Sequence, residues 1–185
     1  MKRFRLIIWL LVFTQCEWVK PKEAAPKLPE ATQVGANTFG CLLNGKVWIP
    51  KGKSSLFRPN LNASYYPDNQ GRFIVSAYQY NKDTDIEERI GLSIDTVLKG
   101  SGLRVYLPEV GRNQQTQAIV FTYNDPKDRY FISRDSGVYC WGNINLTRID
   151  RENAIFSGTF MFTLKATGSD TIKITDGRFD IKIGS

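Results

Sequence analysis

Over the last third of the chain, apolar residues fall on alternate positions, and that spacing admits strands and little else. Val138, Cys140, Ile144 and Leu146 share one parity, as do Phe156, Phe160, Phe162 and Leu164. A period of two places each set on one face of a β-strand. A short turn at Asp150–Asn153 with an even pairing sum lays the two sets on a common face. Ile172 and Ile174 keep the parity on the next strand, and then it flips, because Phe179, Ile181 and Ile183 are odd. One extra residue at Asp176-Gly177 restores the phase, and a glycine-containing β-bulge inserts one. The competing reading is a tight Asp-Gly hairpin that splits the segment into two strands. The bulged strand is favoured, since it keeps Phe179, Ile181 and Ile183 on the core face.

The same alternation runs upstream. Asn44-Gly45 is a two-residue hairpin signal, because both positions of a type I′ turn need positive φ. It predicts Leu43 opposite Lys46, Leu42 opposite Val47 and Cys41 opposite Trp48. Further strands are expected at Arg72–Tyr80, Arg89–Asp95, Leu103–Leu107, Gln117–Tyr123 and Arg129–Arg134, separated by Asn, Asp, Gly and Pro turn chemistry. Residues 51–70, rich in Asn, Pro and Ser, read as a long loop, and a short helix near Ile94–Leu98 stays open. The expected fold is an all-β, antiparallel β-sandwich of about nine short strands, with a small lipocalin-like β-barrel as the alternative. No internal repeat or second domain interrupts residues 38–185.

The N-terminus reads differently. Lys2, Arg3 and Arg5 precede an apolar run from Leu6 to Phe13, too short for the roughly 20 residues that span a bilayer. This is the pattern of a secretory signal peptide over residues 1–15. It ends Phe13-Thr14-Gln15-Cys16 and resembles a bacterial lipoprotein signal, although Gln15 and Phe13 depart from the usual residues before the cysteine. The resemblance implies cleavage before Cys16 and acyl chains, of the palmitate type, on that residue. Several buried chains at about 0.8 kcal/mol per methylene hold a protein on a membrane. Ordinary secretion with Cys16 as a spare thiol is the alternative. Residues 16–37 then form a flexible tether: Pro21, Pro26 and Pro29 alternate with mixed charges, and apolar periodicity is missing. The expected location is the bacterial envelope, as an outer-membrane lipoprotein facing the periplasm or the exterior.

Composition removes several activities. The chain has no histidine, which excludes Ser-His-Asp and Cys-His catalysis and His-ligated zinc. Its three cysteines are too dispersed for a Cys-x-x-Cys motif. Of the net charge of +7, three units belong to Lys2, Arg3 and Arg5; the remaining +4 is mixed in sign, which speaks against nucleic acid. No cofactor motif is present.

Among candidate sites, Cys41 and Cys140 form either a disulfide, allowed by an oxidising compartment, or two buried thiols. Asn81, Asp83 and Asp85 space oxygen ligands as calcium loops do. However, Ile86 stands at the sixth position and Leu92 at the twelfth, so a solvated hairpin loop is favoured and no metal is expected. Asp176 and Asp180 are the carboxylates nearest a hydrolase pair, but read as turn and edge residues. Tyr139, Trp141 and Asn143 lie on the face opposite Cys140, joined by Asn145 and Thr147, with Met161 expected across from them. Left uncovered, they make an aromatic platform for a glycan or a protein; a second sheet, or the 51–70 loop with Tyr65 and Tyr66, would bury it instead.

The stretches GANTFGCLLNGKVWIP at 35–50 and FSGTFMFTLKATGSDTIKITDGRFDIKIG at 156–184 resemble the start and end of uncharacterised Bacteroidota lipoproteins that carry a domain of unknown function. The resemblance implies a lipid-anchored envelope protein with an all-β domain. It brings no catalytic residues. The expectation is therefore a non-enzymatic envelope protein that binds a protein or glycan partner. A passive structural component, or a carboxylate-based hydrolase, is the alternative.

Overall fold

A computed structural model of the chain describes residues 25–52, 59–68, 71–81, 86–95, 104–107, 119–124, 130–133, 137–166, 168 and 171–184. Among these the regular elements are all strands: β1 (Thr38–Leu43), β2 (Lys46–Trp48), β3 (Leu61–Tyr66), β4 (Arg72–Asn81), β5 (Ile86–Ile94), β6 (Arg104–Leu107), β7 (Ile119–Asn124), β8 (Tyr130–Ile132), β9 (Val138–Asp150), β10 (Ile155–Ala166) and β11 (Thr171–Lys182). They form a six-stranded sheet in the order β2-β1-β11-β10-β9-β6 and a five-stranded sheet in the order β3-β4-β5-β7-β8. The named strand pairs are antiparallel. Each sheet keeps two edge strands, so the fold is a sandwich and not a closed barrel.

Aromatic rings join the two inner faces. Phe73 of β4 stacks on Phe156 of β10 at 4.7 Å, and Phe121 of β7 on Phe162 of β10 at 4.0 Å. All four are fully buried, each worth about 2 kcal/mol relative to exposure.

The Asn44-Gly45 hairpin forms in the expected register, with Cys41↔Trp48, Leu42↔Val47 and Leu43↔Lys46, and with φ of 48° and 79° at the turn. β11 is one continuous strand. Its register against β10 slips between Phe160↔Gly177 and Phe162↔Ile174, which leaves Thr175 and Asp176 opposite Met161 alone. Asp176 takes φ 51°, and Ile172, Ile174, Phe179 and Ile181 are all buried. The bulge therefore restores the phase. Gly177 is needed there for space: a Cβ would sit 2.5 Å from the Phe160 ring.

The β9–β10 ladder needs a second bulge. Next to the turn the pairs are Ile155↔Asp150 and Ser157↔Arg148, an odd sum; beyond it they are Gly158↔Leu146 and Thr159↔Asn145, an even sum. Thr147 is the extra residue. The even register expected from the sequence holds for the long part of the ladder and fails at the turn.

Two segments depart from the sequence reading. Residues 61–66, expected within a loop, form β3, pairing with β4 from Leu61↔Ala77 to Tyr66↔Arg72. Leu61, Ala63 and Tyr65 pack on the core while Asn62, Ser64 and Tyr66 alternate with them. The alternation was hidden because an edge strand buries little and its partner supplies most of the contact. The other segment is the expected tether. From Pro29 to Asn37 the chain is a strap across the outer face of the six-stranded sheet. It is fixed by Arg178 Nη1 donating to the Pro29 carbonyl at 3.3 Å, by Arg148 donating to the Gln33 carbonyl, and by Asp180. Of the segment Ile94–Leu98, where a short helix was left open, Ile94 ends β5 and residues 96–98 lie outside the described residues.

Candidate functional site

The outer face of the six-stranded sheet divides in two. At one end it carries Asp180, on β11 between β1 and β10. This carboxylate accepts the Thr32 hydroxyl at 2.6 Å, the backbone N–H groups of Val34 at 3.0 Å, Gly35 at 2.8 Å and Ala36 at 3.1 Å, and the Ser157 hydroxyl at 2.7 Å. Burial raises its pKa, but the bonds from Thr32, Ser157, Ala36 and Gly35 outweigh that and leave it lowered to about 2. Asp180 is only 1% exposed. It is therefore neither an edge residue nor available for acid–base chemistry, since its acceptor positions are filled by the strap and by Ser157. Asp176, the other carboxylate considered, is exposed at the bulge.

At the other end the face is open. On β9 the outward residues are Tyr139, Trp141, Asn143 and Asn145. On β10 they meet Lys165, Thr163, Met161 and Thr159 across the ladder: Tyr139↔Lys165, Trp141↔Thr163, Asn143↔Met161 and Asn145↔Thr159. Tyr139 is 40% exposed and Met161 48%, whereas Trp141 and Asn143 are half-buried. The five-stranded sheet packs on the opposite side. Tyr65 packs into the core against Phe156, ring centroids 5.0 Å apart and tilted by 40°, so it does not cover these rings. Thr147, expected on the same face, is instead the bulged residue.

Cys41 and Cys140 are both buried and both free thiols. β11 and β10 lie between β1 and β9 in the sheet. That puts the cysteines' strands three inter-strand spacings, about 14 Å, apart, whereas a disulfide needs Cα atoms within about 7 Å. The sequence could not see this because pairing order is a tertiary property. Burial pushes both thiols up to about 12, with the Glu88 carboxylate adding to the rise at Cys41.

Glu88 is a residue the sequence reading missed. It lies inward on β5, in the parity of Ile90 and Leu92, at one end of the sandwich. It accepts the indole N–H of Trp48 at 2.6 Å and the Tyr123 hydroxyl at 2.7 Å. Trp48 belongs to one sheet and Glu88 and Tyr123 to the other, so the carboxylate pins the sheets together. Asp83 and Asp85 of the calcium-like stretch lie outside the described residues. Among the described residues no group of three or more His, Cys, Asp or Glu could hold a metal. Cys16 also lies outside them.

Compared with family models, curated proteins and solved structures, the chain matches none.

Proposed function

We propose that this chain is a lipid-anchored protein of the bacterial envelope, held by Cys16, that works as a binding module and not as an enzyme. Its partner is a protein or a glycan, taken on the face of Tyr139, Trp141, Asn143 and Met161. One observation carries the reading. Tyr139 and Met161 stay exposed beside Trp141 on a sheet face whose other end is covered by the strap. Exposed aromatic and methionine side chains next to amide and hydroxyl groups are the composition of recognition surfaces. The expected anchor follows from the Leu6–Phe13 run and Cys16.

Tyr139→Ala and Met161→Ala test the face, since both side chains are exposed and neither change empties the core. The protein carrying Cys16→Ser is used as bait against detergent-solubilised envelope and on a glycan array, with and without the two changes. Retention by the parent and loss by the double variant supports the reading. Equal retention moves the binding elsewhere, and no retention by either leaves a passive structural component. Fractionation of cells making Cys16→Ser tests the anchor separately: continued partition into membranes would refute it.

A further inference from the structure

The open end of the six-stranded sheet's outer face carries charge as well as rings. Two consecutive rungs run across β9, β10 and β11: Trp141–Thr163–Lys173 and Tyr139–Lys165–Thr171. Their neighbours Cys140, Leu164 and Ile172 point into the core, so each rung sets one aromatic residue and one lysine on the outer side. Lys165 lies directly opposite Tyr139. Lys165 and Lys173 are diagonal neighbours on β10 and β11, about 7–8 Å apart. Both are exposed. The hairpin turn fixes where Lys173 stands: its backbone N–H donates to Asn44 Oδ1 and its carbonyl accepts the Asn44 N–H, both at 2.8 Å.

The two ends of this face use their charges differently. At the strap end Arg148 pairs with Asp150 and also donates to the Gln33 carbonyl, Arg178 donates to the Pro29 carbonyl, and Asp180 is closed off by the strap and Ser157. At the open end Lys165 and Lys173 make no ion pair among the described residues. Lys46, on β2, is exposed beside the same turn. Among the described residues the carboxylate at this end is Asp176, at the bulge opposite Met161. The balance is positive, and the ammonium groups stand in solvent next to the rings.

A sugar chain with a negative group on its units matches this pattern. Its C–H faces suit the rings, its hydroxyls suit Thr163 and Asn143, and its acid groups suit the two ammonium ions. We infer that the ligand of this face is an acidic glycan, stacked on Tyr139 and Trp141 and paired with Lys165 and Lys173. The inference rests on the reading of this face as the binding surface and names the class of its ligand.

The test is calorimetric titration of the Cys16→Ser protein with oligogalacturonate, with phosphomannan as the phosphate counterpart. The neutral methyl ester of oligogalacturonate and polyglutamate are the controls. Saturable binding of at least one acidic glycan is expected, weakening several-fold as salt rises from about 0.05 to about 0.5 M. Lys165→Gln with Lys173→Gln should weaken it about five- to tenfold, whereas Lys165→Arg with Lys173→Arg should retain it. All four positions are exposed replacements that empty no core. Tyr139→Ala should weaken the acid and the ester alike. No binding of either acidic glycan overturns the inference, and so does polyglutamate binding as tightly, which would make the partner an acidic peptide. Ester bound as well as acid, or full affinity in the glutamine variant, overturns the charge and leaves the platform standing. Full affinity in Tyr139→Ala with loss in the glutamine variant overturns the platform itself.

Discussion

Asp180 Oδ2 accepts the hydroxyl of Thr32 at 2.6 Å, joining residues 148 positions apart. That bond and its companions turn an apparently featureless N-terminal segment into part of the domain. They also mean that the folding unit begins at Pro29 or earlier, and not at the first strand.

Asp180→Ala should therefore cost about 3–5 kcal/mol, because it strips the partner from the buried Ser157 hydroxyl and from the part-buried donors of Thr32, Val34, Gly35 and Ala36 at once. Asp180→Asn, which keeps one acceptor oxygen, should cost less. Hydrogen exchange separates this from general destabilisation: the Gly35 and Ala36 amides should lose protection first, while β10 and β11 stay protected.

The same carboxylate predicts an acid limb. Its folded pKa, about 2, lies below the ordinary 3.8. It therefore contributes fully above about pH 4, and the contribution disappears as pH falls through about 2. The size is on the order of 2 kcal/mol. Asp150, held down to about 2 by the backbone and side-chain N–H groups of Asn153 and by Arg148, titrates in the same window. Urea midpoints between pH 5 and 2 should fall for the wild type and fall less for Asp180→Asn, the difference being the share of Asp180.

At the β11 bulge, Gly177→Ala should destabilise by about 1–3 kcal/mol, since the added methyl meets the Phe160 ring and the Phe160 carbonyl. Asp176→Gly should be neutral or slightly stabilising, because φ 51° there favours glycine. Thermal unfolding of the two single variants checks the opposite signs.

Cys41 and Cys140 should both react as free thiols in the unfolded protein and resist alkylation in the folded one. Burial holds them near 12, so almost no thiolate exists at neutral pH. Mass spectrometry of protein alkylated before and after denaturation gives the answer. A single linked peptide pair would contradict the strand order.

Trp48→Phe should cost about 1–3 kcal/mol by removing one donor from the part-buried Glu88. In a double-mutant cycle with Tyr123→Phe the two losses should be non-additive, since both hydroxyl and indole serve one carboxylate. Denaturant midpoints of the four proteins measure it.

Local periodicity was enough for much of the architecture. The parity of Phe156, Phe160, Phe162 and Leu164 against Val138, Cys140, Ile144 and Leu146 told which residues face inward. The flip at Asp176-Gly177 told where a strand must bulge, and Asn44-Gly45 set a register to the residue. Such signals are legible because side-chain direction in a strand depends only on position along it. The open face of Tyr139, Trp141 and Met161 was half legible: parity named its members, but only the position of the second sheet left them uncovered.

The rest depended on strand order and on contacts between distant segments. Cys41 and Cys140 read as possible partners until two intervening strands separated them. Asp180 read as an edge residue until the strap closed over it, and Glu88 carried no signal of its own until it met Trp48 from the other sheet. Alternation along each strand gave most residues their face, a local matter of backbone geometry, with Thr147 at the β9 bulge an exception. The tertiary structure decided what each face meets, because that follows from pairings between residues far apart in the chain, whose pattern of polar and apolar residues leaves many arrangements equally well buried.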